Sequence, residues 1–158
     1  MSSDRADWDP QAAVEAARGA LLALISQEAE AEIDDEGRVL VARDSTPIWL
    51  ELIPQPDTQA VYVTLTCPVA QEVPVTAELF EYVAQVADMW YFGHLCLSLD
   101  CGPGNDEGTA HAYFAHALVG ADLEALQVLI PLFAMVNTVR SLQGEFIERF
   151  GGTVPSAS

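Results

Sequence analysis

Five side chains that could hold a metal ion, or serve as nucleophile and base, lie close together in the chain: His94, Cys96, Cys101, His111 and His116. Zinc is the first chemistry such a set suggests, because cysteine and histidine are its usual ligands. Spacing argues against it. His111 and His116 are an odd number of residues apart, and a regular strand sends such a pair to opposite faces unless a bulge intervenes. No C-x-x-C pair is present to begin a structural zinc site. A thiol nucleophile, Cys96 or Cys101 with a histidine base, has no arginine or lysine nearby to lower its pKa and no nucleophile elbow. In Asp100-Cys101-Gly102-Pro103-Gly104-Asn105, glycines stand where a calcium loop needs oxygen ligands. Gly102 and Gly104 also lack the rest of any phosphate-cradling motif. The expectation is no catalytic residue, no metal and no cofactor.

The elements that position these residues are readable from period and punctuation. Asp9-Pro10 is an N-cap followed by proline at the first helical position. Val14, Ala17, Leu21, Leu24 and Ile25 then recur at helical spacing, predicting a helix from Pro10 to about Gln27. The acidic run Glu28, Glu30, Glu32, Asp34, Asp35, Glu36 reads as a solvated stretch that ends in a turn at Gly37. Three strands follow. Arg38–Ala42 is the first. In the next two, Ile48/Leu50/Leu52 alternate with Trp49, Glu51 and Ile53, and Val61/Val63/Leu65 with Tyr62, Thr64 and Thr66, which places the first set of each on one buried face. Trp49, Ile53 and Tyr62 fall on the opposite face, with Pro54–Asp57 turning the chain between the two strands. Thr76 caps a second helix carrying Leu79, Val83, Val86 and Trp90, which stops at Gly93. A strand with Leu95, Leu97 and Leu99 on one side leads through the Cys101–Gly108 loop into another over Thr109–Val119. Asp122 caps a last helix that ends at Gly151-Gly152. The predicted fold is α+β, in the order α-β-β-β-α-β-β-α, with a largely antiparallel five-stranded sheet. It forms one domain over residues 1–158, with an ordered core of about 9–152 and a tail at 153–158.

Charge narrows the partners. Acidic residues number 24 and basic ones 6, a net −18, and all six basic residues are arginine. From Asp44 to Val139 no arginine or lysine occurs, while twelve aspartates and glutamates do. Nucleic-acid phosphates and anionic membrane surfaces both demand clustered positive charge, so neither is an expected partner. Met1–Trp8 shows no basic-then-apolar leader pattern, and three cysteines cannot all pair. The expectation is a cytoplasmic protein with reduced thiols.

The last helix is apolar on every side between Val128 and Val136, so it needs cover on more than one face. A second copy of the chain is the expected cover, with Trp90, Leu129, Leu132, Phe133 and Val136 at the interface of a homodimer. Pro131 should kink or restart the helix, since it removes a backbone bond.

Three segments resemble the YbjN family and, more distantly, the CesT-type chaperones of type III secretion. They are Val61-Tyr62-Val63-Thr64-Leu65 with Val73–Val83, the passage Ala117-Leu118-Val119-Gly120-Ala121-Asp122-Leu123, and the ending Glu145-Phe146-Ile147-Glu148-Arg149-Phe150-Gly151-Gly152. The resemblance implies a dimeric, non-enzymatic, cytoplasmic bacterial domain that holds extended segments of client proteins. Trp49, Ile53 and Tyr62 are the expected client-binding residues. A regulatory dimer acting through a globular partner is the alternative, and a metal- or thiol-dependent enzyme is a third.

Overall fold

A computed structural model describes residues 8–100, 108–120 and 123–155. Asp9 caps the first helix as its type suggests: its carboxylate accepts from the amides of Gln11 and Ala12 at 2.9 and 3.2 Å. The helix, α1, covers Pro10–Ile25. Four strands follow rather than three: β1 Glu30–Ile33, β2 Val39–Arg43, β3 Thr46–Gln55 and β4 Ala60–Pro74. Helix α2 (Ala77–Val86), β5 (His94–Asp100), β6 (Thr109–Val119) and α3 (Ala125–Phe150) complete the chain. The sheet is antiparallel and six-stranded, in the order β1-β2-β3-β4-β6-β5.

The extra strand is a correction to the five expected. It lies inside the acidic run, where Ala31 pairs with Val41 and Ile33 with Val39. Glu30 and Glu32 alternate with them on the other face, so a period of two hides beneath the charge. The turn that follows is tied by Asp34, whose carboxylate accepts from the amides of Glu36 and Arg38 and from the Arg38 side chain at 2.7 Å. Burial works against that charge, but these bonds and the Arg38 guanidinium outweigh it and hold the Asp34 carboxyl below its ordinary value. Asp44 and Ser45 both have positive φ, which gives the β2–β3 hairpin a two-residue primed turn matched to strand twist.

Strand β4 is longer than expected. Pro54 and Gln55 stay in β3, the turn shifts to 56–59, and β4 continues through Pro68 to Pro74. Register shifts on either side of Ala70 accommodate the extension, and Glu72 takes a positive φ there. Such bulges are where a strand tolerates proline. Helix α2 begins as read, with Thr76 Oγ1 accepting from the Leu79 amide at 3.1 Å. It ends at Val86, so Trp90 lies beyond it rather than in its last turn.

One buried cluster joins Leu21 and Ile25 of α1, Leu79 of α2, the inward residues of the strands, and Val128, Leu132, Met135, Val136, Val139 and Phe146 of α3. All three helices therefore pack on the same face of the sheet. Helix α3 starts at Ala125, where the Gln127 side chain accepts from the Glu124 amide at 3.0 Å; the expected cap, Asp122, lies outside the described residues. The helix continues through Pro131 instead of restarting. By length and composition it could cross a membrane; in this fold Val128, Leu132, Met135, Val136, Val139 and Phe146 are buried in the protein's own core.

At the far end Gly151 and Gly152 both have positive φ. A Cβ on Gly152 would come within 2.6 Å of the Gln71 carbonyl. That closeness lets Thr153 exchange two backbone bonds with Gln71. The stretch expected to be a free tail thus begins docked on β4, and Pro155 is buried.

Candidate protein-binding surface

Pleating decides which side chains the sheet presents away from its helices. On β3 these are Trp49, Glu51 and Ile53; on β4, Tyr62, Thr64 and Thr66; on β6, His111, Tyr113, Ala115, Ala117 and Val119. Among the described residues no element packs over this face. The three residues singled out from sequence do share it, but not as one pocket. Ile53 and Tyr62 are direct cross-strand partners, and Tyr62 is paired in turn with Val119. Trp49 lies four residues along β3, about 13 Å away at strand rise, with Glu51 between. Its own neighbours are Leu40, Thr66 and the Arg38 guanidinium, 5.8 Å from the ring centroid. The apolar end of the open face is therefore Ile53, Tyr62 and Val119, the last 52% exposed.

This patch turns the corner of the sheet into a groove of about 580 Å³ between the end of β6 and the first turns of α3. Its walls include Phe92, His116, Leu118, Leu126, Ile130 and Pro131. Leu126 and Ile130 are 67% and 49% exposed, and among the described residues no Asp, Glu, Arg or Lys lines the groove. Sequence reading missed this surface. The signal available was the all-round apolar character of α3, which was assigned to a dimer contact on other residues. Two of those residues need correction. Leu132 and Val136 are fully buried within the protomer, so neither has surface to lose to a second copy. Leu129 and Phe133 are partly buried, Phe133 beneath the Arg43 guanidinium at 3.8 Å. Trp90 packs edge-on against the core ring Phe114 at 4.7 Å. A smaller hollow of about 350 Å³ between α1 and the β3–β4 hairpin, walled by Trp8, Ala13, Ala17, Leu24 and Val61, adds a second apolar recess.

The sheet divides the histidines and cysteines between its faces, with His94, Cys96 and His111 on the open side and His116 and Cys67 on the side of the helices. Strand β6 pairs with β5 without a shift from Thr109 to Ala115, so His111 lies on the face of Tyr113 and His116 on that of Phe114. His116 Nδ1 accepts from the Gly93 amide at 3.2 Å, and its ring meets Phe92 edge-on at 5.9 Å. Burial, and then the neighbouring His94, push its pKa below the ordinary 6.5. Burial drives the Cys67 thiol up to about 12 and raises Cys96 as well. Neither is a ready nucleophile at neutral pH. Cys101 lies outside the described residues, and among those described no three of His, Cys, Asp and Glu converge.

The architecture is an α+β domain with one helix-covered and one open face of an antiparallel sheet. Among solved structures the chain is similar to the Yersinia pestis type III secretion chaperone SycH, in complex with a stable fragment of YscM2. The TM-score is 0.47 at 16% sequence identity, over 85% of this chain and 99% of that one. No protein-family model matches the chain, and no curated protein does.

Proposed function

We propose that the protein is a non-catalytic binding domain that acts as a chaperone or adaptor by holding an extended segment of a client protein. One observation carries this reading: exposed apolar side chains, Ile53 and Val119 on the open face beside the half-buried Tyr62, and Leu126 and Ile130 beyond it, gather at the end of β6, whose ladder with β5 stops at Ala115. Strand addition uses this combination, with main-chain bonds giving affinity and side-chain recesses giving selectivity. Monomeric proteins seldom leave such a continuous apolar region without use. The YbjN-like pattern of the sequence agrees with this reading. A homodimer fits it only through side chains that the protomer leaves outside, and on α3 those are Leu126 and Ile130. A pull-down comparing unfolded or peptide-like segments with folded proteins tests the function. Retention of extended segments is expected; retention of folded partners alone would favour a regulatory domain instead.

A further inference from the structure

Strands β5 and β6 are not the same length on their shared side. The ladder between them ends at the pair His94–Ala115, while β6 continues to Val119 and remains paired there with β4 on its other side. The direction of each backbone group follows from alternation. Gly120 donates to the Val61 carbonyl, toward β4. In a regular antiparallel strand the residues facing the other way are then Val119, Ala117 and Ala115. A second bond agrees with this phase: Leu95 of β5 donates outward to the Ala87 carbonyl, which leaves His94 to face Ala115. Ala117 and Val119 thus direct two N–H and two C=O groups into a space where no described strand lies opposite. Both are exposed. At Gly93, φ +84, the chain leaves the line of β5, and its amide is held by His116.

This step in the sheet opens onto the apolar groove, since His116, Leu118 and Val119 of β6 line it together with Leu126 and Ile130 of α3. The other edges differ. The β1 edge carries Glu30 and Glu32, the kind of charge that discourages strand addition. The outward β5 positions have Leu99 exposed, and none of them lines the groove. We infer that the free end of β6, Ala117–Val119, is a slot that accepts one short extended polypeptide segment in line with β5. Alternate apolar side chains of that segment enter the groove against Leu126 and Ile130, and basic residues flank it. The inference rests on the protein-binding reading and specifies its locus. Charge chooses the occupant. Among the described residues the groove lining carries no Asp, Glu, Arg or Lys, and no arginine or lysine occurs from Asp44 to Val139. A second copy would bring −18 against −18, whereas a segment with positive ends is drawn in.

The probe is a fluorescent synthetic peptide with leucine at alternate positions, threonine between them and two arginines at each end, titrated by anisotropy. Ala117→Pro removes an outward donor at an edge position, where proline is tolerated. Ile130→Asp places a charge in the groove from a half-exposed site. Each is expected to weaken binding roughly ten-fold or more, and Trp49→Ala on the open face to leave it unchanged. If Ala117→Pro does not fold, Ile130→Asp carries the test. Weakening by Trp49→Ala and Tyr62→Ala, with Ala117→Pro and Ile130→Asp unaffected, would overturn the slot while leaving the protein-binding reading in place. Absence of binding to wild type would also overturn the slot, and the client pull-down would then judge the broader reading. A dimer in sedimentation that Ile130→Asp dissociates would assign the groove to a second copy and defeat the inference.

Discussion

His116 joins the two parts of the groove wall: its ring lies on Phe92 and its Nδ1 holds the Gly93 amide. That bond requires an unprotonated Nδ1, so the neutral ring with its proton on Nε2 is the form the fold selects. Because burial, then His94, lower its pKa, the unfolded chain takes up a proton before the folded one does. The stabilisation is complete above the ordinary value of 6.5 and is lost as pH falls through the lower folded value. Urea midpoints of wild type and His116→Gln should therefore differ most near neutrality and converge as pH falls below 6.5. A gap that widens on acidification would contradict this. Gly152 carries a different kind of constraint. With φ +96 and the Gln71 carbonyl 2.6 Å from any Cβ, Gly152→Ala should cost about 2–3 kcal/mol. Thermal melting measures that loss, and a protein of unchanged stability would show that Thr153 is not held on β4 as described.

At the scale of elements, α2 depends on one hydroxyl. Thr76 Oγ1 is the side-chain acceptor at its N-terminus, so Thr76→Ala should lower stability by about 1 kcal/mol while Thr76→Ser restores most of it. Chemical denaturation of the two variants is the check. This cap was legible because its chemistry is local, and so were the bounds of β6 and the inward face of Ile48, Leu50, Val63 and Leu65, where period two is unmasked. What stayed hidden has physical causes. In β1 the alternation of Ala31 and Ile33 is buried in a string of acids whose composition speaks for solvent. In β4 the prolines at 68 and 74 signal an end that a bulge circumvents. For α3, a segment apolar all round needs cover but does not say which side its own sheet supplies, so Leu132 and Val136 were placed outside and Leu126 and Ile130 overlooked. The step at the end of β6 could not be read at all. It is a difference between two pairing lengths, and register is fixed by contacts between distant residues.

For the whole molecule, charge is a larger asymmetry than any single contact. The six arginines are all outside residues 44–139, and among the described residues Arg38 is paired with Asp34, Arg140 with Asp44 and Arg149 with Glu78. Those pairs are partly or well exposed, and exposed pairs add little stability, but each cancels positive charge that could offset the field. The open face and the groove thus belong to a strongly acidic chain, net −18, while the described lining of the groove holds no Asp, Glu, Arg or Lys. The two features act at different stages of binding. Long-range attraction governs encounter and is screened beyond about 8 Å at physiological ionic strength, whereas burial of apolar side chains governs how long the complex lasts. For a client segment with basic flanks, raising salt from about 0.05 to 0.5 M should slow association by roughly ten-fold or more and change dissociation far less. Stopped-flow association and chase experiments across a salt series separate the two rates. An association rate indifferent to salt, or faster capture of an acidic segment than a basic one, would reduce the charge to a means of keeping the protein soluble.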